Sequence, residues 1–495
     1  MHSLTRRAVR ATITATALAA VAMIGLTAPA HAAPLVDPDQ TGSITVHKFE
    51  KPAAATGLPN NGTVVDTSGL TPLAGVTFEI RPVNPIDLST NAGWADAADL
   101  AGEFDASDAE GSVTDAGFTL GAATTQVTAT DGTAVFGSLP VGLYLVQETA
   151  HPSGVTPAAP FLITVPLTDP TDSDTWIYDV HVYPKNSLTE AAKTVDDLDA
   201  IQLGDEVVWT ITAGIPNESV IDGYKIVDPL DASLDYVDTL VTLSNGATIT
   251  EGTHYTVTHD ASNAVTVEFT AAGRAVLAAN NTADVVVDVV TTVNTVGEIQ
   301  NQALVYPNAA SFDIEPGEPG GPVETNVPET RWGGITLEKT DGTNALTGAS
   351  FQVFTSAADA AAQTNPVSLG GQTTFTVTAA DGTLTLSGLR YSDFAGDATV
   401  APGDPGYLSY YLVETVAPSG FELLAEPIPF TVTAATSAVG VDLEVVNVAH
   451  NAGFELPQTG GTGTGLLYVF GFALIAGGVL LLVLRRRSFA SRTRP

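Results

Sequence analysis

Short runs of Val, Thr, Ile and Phe recur along most of the chain, and Gly, Asn, Asp and Pro separate them. Clear examples are GSITVHKFE, AGVTFEI, EVVWTITAGI, NAVTVEFT, ADVVVDVVTTV, ITLEKTDG and ASFQVF. β-Branched and aromatic residues favour strands, and turn residues at this spacing are typical of β-sandwiches. The pattern predicts an all-β protein built from tandem immunoglobulin-like β-sandwich domains. Two Ala-rich patches, GWADAADLAGEF and SAADAAAQT, interrupt the pattern and are predicted as loops rather than short helices.

An internal repeat divides the chain. The segment ATDGTAVFGSLPVGLYLVQETAHPSGV returns as AADGTLTLSGLRYSD…YYLVETVAPSGFELL, and ITVHKFE…LAGVTFEI returns as ITLEKTDGTNALTGASFQVF. Two domains of one fold therefore flank a different middle segment. Aligning the copies pairs Lys48 with Lys339, Asp131 with Asp381, and Glu148 with Glu414.

These features predict five parts. They are a signal peptide (1–32), a first β-domain (33–187), a middle β-sandwich (188–328), a third β-sandwich (329–451) and a C-terminal sorting segment (452–495). The stretch DIEPGEPGGPVETNVPET near the end of the middle domain indicates a linker or a long loop.

The two ends predict export and membrane retention. A basic start, an apolar run and the small residues around Ala30 are typical of a signal peptide cleaved before Ala33. The uncharged run from Leu466 to Leu484 is long enough, at about 1.5 Å per residue, to span most of a ~30 Å hydrocarbon core. Three arginines, 485–487, follow it and favour a cytoplasmic tail.

Composition narrows the function. The net charge is −37, with 18 Lys and Arg against 55 Asp and Glu, so clusters for phosphate contacts are absent and we expect no nucleic acid partner. There is no cysteine, so any covalent reinforcement must use other side chains. Only six lysines occur, which suggests that several are placed for a purpose.

Buried lysines in sandwiches offer one such chemistry. Burial disfavours the ammonium, so the amine becomes a nucleophile, and it favours a protonated carboxyl beside it. If an asparagine lies between them, the amine displaces ammonia from the carboxamide and leaves a permanent Lys–Asn cross-link, which restricts the unfolded chain as a disulfide does. The predicted trios are Lys48, Glu148 and Asn186 in the first domain, Lys193, Asp228 and Asn301 in the middle domain, and Lys339, Glu414 and Asn447 in the third. In the middle domain Asn308 is the rival asparagine and Lys225 the rival amine.

Three motifs together resemble a known family. LPQTG (Leu456, Pro457, Gln458, Thr459 and Gly460) before an apolar span resembles a sortase sorting signal, WIYDVHVYPKN resembles a pilin motif, and YYLVETVAPSGF resembles an E-box. Over essentially its whole length the chain is similar to backbone subunits of sortase-assembled pili in Gram-positive bacteria. The resemblance implies collagen-adhesin-type sandwiches in an elongated rod, anchored to the cell wall, with no cofactor and no metal.

The resemblance also implies roles for two residues. A pilus sortase would cleave between Thr459 and Gly460, and the exposed Lys185 amine of another copy would attack the acyl-enzyme, giving a Thr459–Lys185 amide. The implied partners are other copies of the chain, pilus-specific and housekeeping sortases, peptidoglycan, tip and base pilins, and host surface ligands. The first E-box copy, YLVQETAHPSG, carries an inserted His151, and the middle domain has no E-box, so Asp228 would serve as its acid.

Other function classes account for fewer of these features. A singly anchored surface adhesin or a minor or basal pilin shares most features but does not need Lys185. An exported enzyme is disfavoured because the chain has no HExxH motif, no G-x-S-x-G elbow and no cysteine. Asp169, Asp172 and Asp174 could ligate calcium, but they lack a full loop signature, and a solvated turn is the preferred interpretation.

Overall fold

The structure is a computed structural model that describes residues 35–172, 175–438, 440–450, 467–475 and 479–480. The predicted signal peptide, 1–32, lies outside these residues. Residues 467–475 and 479–480 are helical, but no helix in the described part of the chain is long and apolar enough to cross a membrane. The transmembrane helix therefore stays a prediction.

The first β-rich unit has one three-stranded sheet, in the order β12-β1-β6, facing a larger sheet in the order β4-β3-β7-β9 with β5 also beside β3. Three short strands, β2-β13-β8, extend one end of the unit. Its strands are β1 (Gly42–His47), β2 (Phe49–Glu50), β3 (Thr77–Asn84), β4 (Thr119–Leu120), β5 (Thr124–Val127), β6 (Thr133–Leu139), β7 (Gly142–Ala150), β8 (Val155–Thr156), β9 (Phe161–Val165), β10 (Leu167–Thr168), β11 (Trp176–Ile177), β12 (Asp179–Val182) and β13 (Lys185–Leu188).

The middle unit is a sandwich of a four-stranded sheet, β14-β15-β20-β17, and a five-stranded sheet, β18-β19-β16-β22-β23. Val, Ile and Trp side chains from alternate positions of both sheets fill its core. Its strands are β14 (Ala191–Asp196), β15 (Glu206–Gly214), β16 (Lys225–Pro229), β17 (Leu234–Leu243), β18 (Tyr255–His259), β19 (Ala264–Phe269), β20 (Asp284–Val293), β21 (Gly297–Gln300), β22 (Leu304–Tyr306) and β23 (Val323–Glu324).

The third unit packs the sheet β21-β24-β27, with β32 beside β24, against the sheet β26-β25-β30-β31. Strand β24 is continuous between the two units, because its first residues pair with β21 and its later residues pair with β27 and β32. The strands are β24 (Glu329–Thr340), β25 (Ser350–Phe354), β26 (Phe375–Thr376), β27 (Thr383–Arg390), β28 (Phe394–Ala395), β29 (Ala398–Thr399), β30 (Tyr410–Val416), β31 (Ile428–Phe430) and β32 (Leu443–Val446).

Four α-helices lie between strands in the described part of the chain, and two of them correct the sequence prediction. They are α1 (Asn91–Glu103), α2 (Ala109–Asp115), α3 (Ala271–Ala279) and α4 (Ala357–Ala362), with 3₁₀ turns at Ala106–Asp108 and Ala310–Asp313. The Ala-rich patches predicted as loops form α1 and α4. In each, a hydroxyl at the N-cap, Thr90 or Ser356, accepts a backbone N–H of the first turn, and buried small or apolar side chains fix the helix to the sheet.

The acidic Pro/Gly stretch forms a long loop before the short strand β23, and this loop contacts the first unit. Ser153 Oγ donates to Glu318 O at 3.2 Å, and Gly154 N donates to Gly321 O at 3.5 Å. The stretch therefore packs against a neighbouring domain and is not a free linker.

Buried Arg390 joins the middle and third units. Its guanidinium donates to the carbonyl oxygens of Ala200 at 2.9 Å, of Phe394 at 2.5 Å and of Gly406 at 2.9 Å, and its side chain is fully buried. Leu203 N donates to Gly388 O at 2.9 Å beside it. The buried charge at this junction is satisfied by main-chain carbonyls.

Candidate cross-linking and polymerisation sites

Each predicted lysine occupies a position that strand alternation assigns to the core. Lys48 continues the buried face of Ile44 and Val46 just after β1, and Lys339 continues that of Ile335 and Leu337 on β24. Lys193 on β14 is likewise buried. A charged residue where the pattern calls for an aliphatic one needs a partner, and each lysine has one close by.

In the third domain the structure brings all three predicted residues together. Lys339 and Asn447 lie beside each other because β24 and β32 run parallel, and Glu414 reaches them from β30 on the facing sheet. Asn447 Nδ2 donates to Glu414 Oε1 at 3.0 Å and Oε2 at 2.8 Å, and Lys339 Nζ donates to Val445 O at 2.7 Å. Asn447 Oδ1 is buried and has no hydrogen-bond partner within the described residues.

The first domain repeats this arrangement with closer contacts. Lys48 Nζ donates to Glu148 Oε1 and, at 2.5 Å, to Asn186 Oδ1. Asn186 Nδ2 donates to Glu148 Oε2 at 2.7 Å. Lys48 and Asn186 are fully buried, so the inserted His151 leaves the trio assembled.

The middle domain uses a different route to a similar trio. Lys193 Nζ donates to Asp228 Oδ1 at 2.5 Å across the two sheets, and Asn301 Nδ2 donates to Asp228 Oδ2 at 3.3 Å. Asn301 follows β21 rather than lying on a strand beside β14. Its Oδ1 is buried without a hydrogen-bond partner in the part of the chain that the structure describes.

The rival residues of the middle domain lie elsewhere. Asn308 Oδ1 accepts from Ser311 N at 2.9 Å, and its Nδ2 contacts Thr156 Oγ1 at 3.4 Å. Lys225 Nζ lies over the rings of Tyr306 and Phe312, 4.4 Å and 4.2 Å from their centroids. The geometry therefore favours Lys193 and Asn301.

Burial moves the pKa values in the direction that the chemistry needs. Desolvation lowers the pKa of Lys48 and of Lys193 to about 8, against the attraction of Glu148 and Asp228. The pKa of Lys339 is also lowered by burial. Desolvation raises the pKa of the Asp228 carboxyl, which favours its protonated form.

Lys185 lies one residue before Asn186 on β13, with its side chain on the opposite face of the strand. It is half-buried rather than fully exposed as expected, and its Nζ donates to Tyr183 O at 3.1 Å. It borders a cavity of about 790 Å³ whose other walls include Leu58, Trp94 and Phe161. Desolvation lowers the pKa of the Lys185 amine, which favours the nucleophilic form.

Some of the predicted site residues lie outside the residues that the structure describes. The sorting residues Leu456, Pro457, Gln458, Thr459 and Gly460 are among them, and so is Asp174 of the candidate calcium turn. Asp169 Oδ1 accepts from Thr171 N at 2.8 Å and from Asp172 N at 3.3 Å, the contacts of a self-capped turn. The described residues contain no group of three or more metal-ligating side chains.

Two neighbours of these trios were missed from the sequence. The Glu422 carbonyl accepts from Asn447 Nδ2 at 2.8 Å, and Glu218 of the middle domain contacts the strand that carries Asn186. A main-chain carbonyl leaves no mark in a sequence, and Glu218 is one of many acidic residues. Its position could be found only from the packing of two domains.

Family models match the chain in the order in which its parts occur. Residues 39–187 match the model of the Gram-positive pilin subunit D1, N-terminal domain, and residues 189–313 match the Sgo0707 N2 domain. Residues 333–446 match a prealbumin-like fold domain, and residues 449–488 match the LPXTG cell wall anchor motif.

Curated relatives cover nearly the whole chain. It is 34% identical over 545 aligned positions to the fimbrial subunit type 1 of Actinomyces viscosus, which covers 99% of this chain and 100% of the relative. The chain belongs to the major pilin subunits of sortase-assembled Gram-positive pili. The pilin is also 31% identical to the fimbrial subunit type 2 of Actinomyces naeslundii, over 91% of both chains.

Solved pilin structures share the fold. The major pilin SpaD of Corynebacterium diphtheriae matches with a TM-score of 0.64 and 28% identity, over 84% of this chain and 99% of that one. SpaA of the same organism matches with a TM-score of 0.60 and 28% identity, over 82% of this chain and 100% of that one. The pilin is thus a structural shaft subunit of a pilus anchored to the cell wall.

Proposed function

We propose that the shaft is joined by an amide between Thr459 of one copy and Lys185 of the next. A pilus sortase would cleave Thr459 from Gly460 and hold the Thr459 acyl group on its own cysteine. The Lys185 amine then attacks that carbonyl, the C–N bond forms, and the sortase thiolate leaves. The observation that carries this step is the partly accessible Lys185 amine at the edge of an open cavity, with a pKa lowered by burial.

We further propose that the three buried trios form Lys–Asn isopeptide bonds without an enzyme. The neutral lysine attacks the carboxamide carbon while the acid donates its proton to the carbonyl oxygen. The carboxylate then passes a proton from the attached amine to the leaving NH2 group, so the old C–N bond breaks and ammonia leaves. The carbonyl re-forms and returns its proton to the acid. A half-turn of the Asn447 or Asn301 carboxamide exchanges Nδ2 with Oδ1, which turns the unpartnered oxygen towards the acid. The assembled trios support this proposal in all three domains.

The partners that this function requires are the polymerising sortase and a housekeeping sortase that transfers the finished shaft to peptidoglycan. Tip and base pilins and host surface ligands extend the proposal. The alternative, a singly anchored adhesin or a minor pilin, shares the isopeptide chemistry but makes no use of Lys185.

Polymerisation is tested with Lys185→Arg in the native host. Arginine keeps the positive charge but stays protonated, so it cannot act as the nucleophile. On a denaturing gel of cell-wall extracts, we expect the high-mass ladder of the wild type to collapse to a monomer. The matched control Lys225→Arg should keep the ladder. A ladder that survives Lys185→Arg, or that is absent in the wild type, would support the singly anchored alternative.

A further inference from the structure

Glu218 belongs to the middle domain, but its carboxylate binds the first. It lies in the loop between β15 and β16. Its Oε2 accepts from Lys51 Nζ at 2.5 Å, and its Oε1 accepts from Ser187 Oγ at 2.5 Å. One carboxylate thus bridges two segments of the first domain that are far apart in sequence.

Those two segments carry the reacting groups of the first trio. Lys51 lies three residues after Lys48, and Ser187 directly follows Asn186. The segments pair as the parallel strands β2 and β13, and Lys51 N donates to Asn186 O at 2.8 Å. Glu218 therefore holds the lysine segment and the asparagine segment together at the end of their shared ladder.

The loop that presents Glu218 is itself fixed from both sides. Asn217 Nδ2 donates to Pro52 O at 3.1 Å in the first domain, and Asn281 Nδ2 donates to Asn217 Oδ1 at 3.0 Å in the middle domain. Ser187 is only 1% exposed. The carboxylate is therefore held in place by the folded middle domain.

We propose that Glu218 is a positioning residue for the first-domain cross-link, so that the middle domain must dock before Lys48 and Asn186 react. The inference rests on the isopeptide chemistry proposed above. It assigns an order to maturation: the middle domain folds and docks, and the first domain closes after it. Glu218 touches neither reacting atom, and it acts through Lys51 and Ser187.

The test follows ammonia loss at each site separately. The mature chain, residues 33–459, is taken unfolded in urea from inclusion bodies and diluted into buffer. Mass spectrometry of proteolytic peptides then follows the appearance of cross-linked pairs, each about 17 Da lighter than its two peptides. The trios of the middle and third domains serve as folding controls inside the same molecule.

Glu218→Lys should slow the first-domain reaction by about tenfold or more, because small displacements of reacting groups cost large factors in rate. Lys51→Glu should do the same. The double variant restores the ion pair in reverse, and the Ser187 hydroxyl can accept from the new lysine, so its rate should recover. The exposed Glu251→Lys, in the same domain, should leave all three rates unchanged.

Two results would overturn the inference and leave the cross-link standing: an unchanged first-domain rate in Glu218→Lys, or a double variant as slow as either single one. A wild-type chain that never loses ammonia from the first domain would remove the cross-link itself, and the inference with it. Slowing of all three sites would show that Glu218 serves general folding, which also contradicts the proposal.

Discussion

The first and third domains hold the same trio on the same strands but enclose it differently. In the third domain the enclosure is internal, because Leu424 N donates to Glu414 Oε2 at 2.9 Å and the Glu422 carbonyl binds Asn447. In the first domain the corresponding strand end is held by the middle domain, through Glu218. The lysine contacts differ as well: Lys48 binds the acid and the asparagine, whereas Lys339 binds Val445 O.

Two copies of the same trio therefore differ in which domain encloses them. The third site is enclosed by its own domain, and the first site by the middle domain. The contacts of the third site in the described residues lie within one domain, so under the proposed chemistry it would react without the middle domain. The first site lies at a junction, and Lys185 begins β13, the strand that carries Asn186. A first domain that closes only after docking would present its polymerisation lysine on a finished subunit.

The largest expected effect comes from removing one acid at a time. Glu414→Gln should abolish the third cross-link and lower the free energy of unfolding of that domain by about 4–5 kcal/mol, the contribution of closing a loop of roughly 100 residues. Glu148→Gln should abolish only the first cross-link. Urea melts with peptide mass analysis provide the measurement, and Glu444→Gln, exposed on β32, is the control. Full ammonia loss in Glu414→Gln would contradict the role of the acid.

A moderate effect of pH is expected on the rate at which the cross-links form. In the first domain Lys48 and its acid are in contact and share one proton in the reactive state, so the rate should fall when that proton is lost, above about pH 8. The rate at the middle site should fall at high pH in the same way. It should also fall at low pH, below the raised pKa of Asp228, because the Lys193 amine is then charged.

The third site sharpens this measurement. Lys339 is not hydrogen-bonded to Glu414, and burial lowers its pKa less, so its alkaline decline should lie at higher pH. The three rates can be read from one refolding series. A first-domain rate that keeps rising above pH 8 would mean that amine ionisation alone limits the reaction.

The smallest effect is expected from salt, which should act differently on the two domain junctions. One joins the first and middle domains, and the other joins the middle and third domains. The Lys51–Glu218 pair is partly exposed, at 33% and 24%, so it contributes at most about 1 kcal/mol and is screened by salt. Raising NaCl from about 0.05 M to about 1 M should speed amide hydrogen exchange in residues 217–219 by up to about fivefold. Exchange at residues 201–203, beside buried Arg390, should stay unchanged, and equal changes at both junctions would contradict this comparison.

The sequence predicts much of the fold and of the candidate sites, because the repeat aligns residues that have the same role in both copies. Asp131 and Asp381 show this: each accepts the backbone N–H and hydroxyl of the threonine two residues later, Thr133 or Thr383. The strand class followed from β-branched runs, and the buried lysines followed from their place in apolar runs. The sequence pattern was sufficient for features that depend only on neighbouring residues, such as strands and turns.

The rest depends on packing that no local pattern records. Helix α1 was predicted as a loop although alanine favours helices and Thr90 is a recognisable N-cap, because its glycines and aspartates are typical of loops. The sequence does not separate Asn301 from Asn308, because the antiparallel register of β22 on β16 decides which of them meets Asp228. The sequence leaves the Pro/Gly stretch as either a linker or a long loop, because the residue that it contacts, Ser153, lies in another domain.

The continuous strand β24 has a mechanical consequence. If copies are joined through Lys185 and Thr459, a pulling force enters at Lys185 and leaves beyond Asn447, so it bypasses the body of the first domain. If the proposed isopeptide bonds form, the force would run through the Lys193–Asn301 bond, along residues 302–328 and β24, and through the Lys339–Asn447 bond. Under tension those two proposed bonds would carry the load, and residues 302–338, which include most of the twelve-residue strand β24, would connect them.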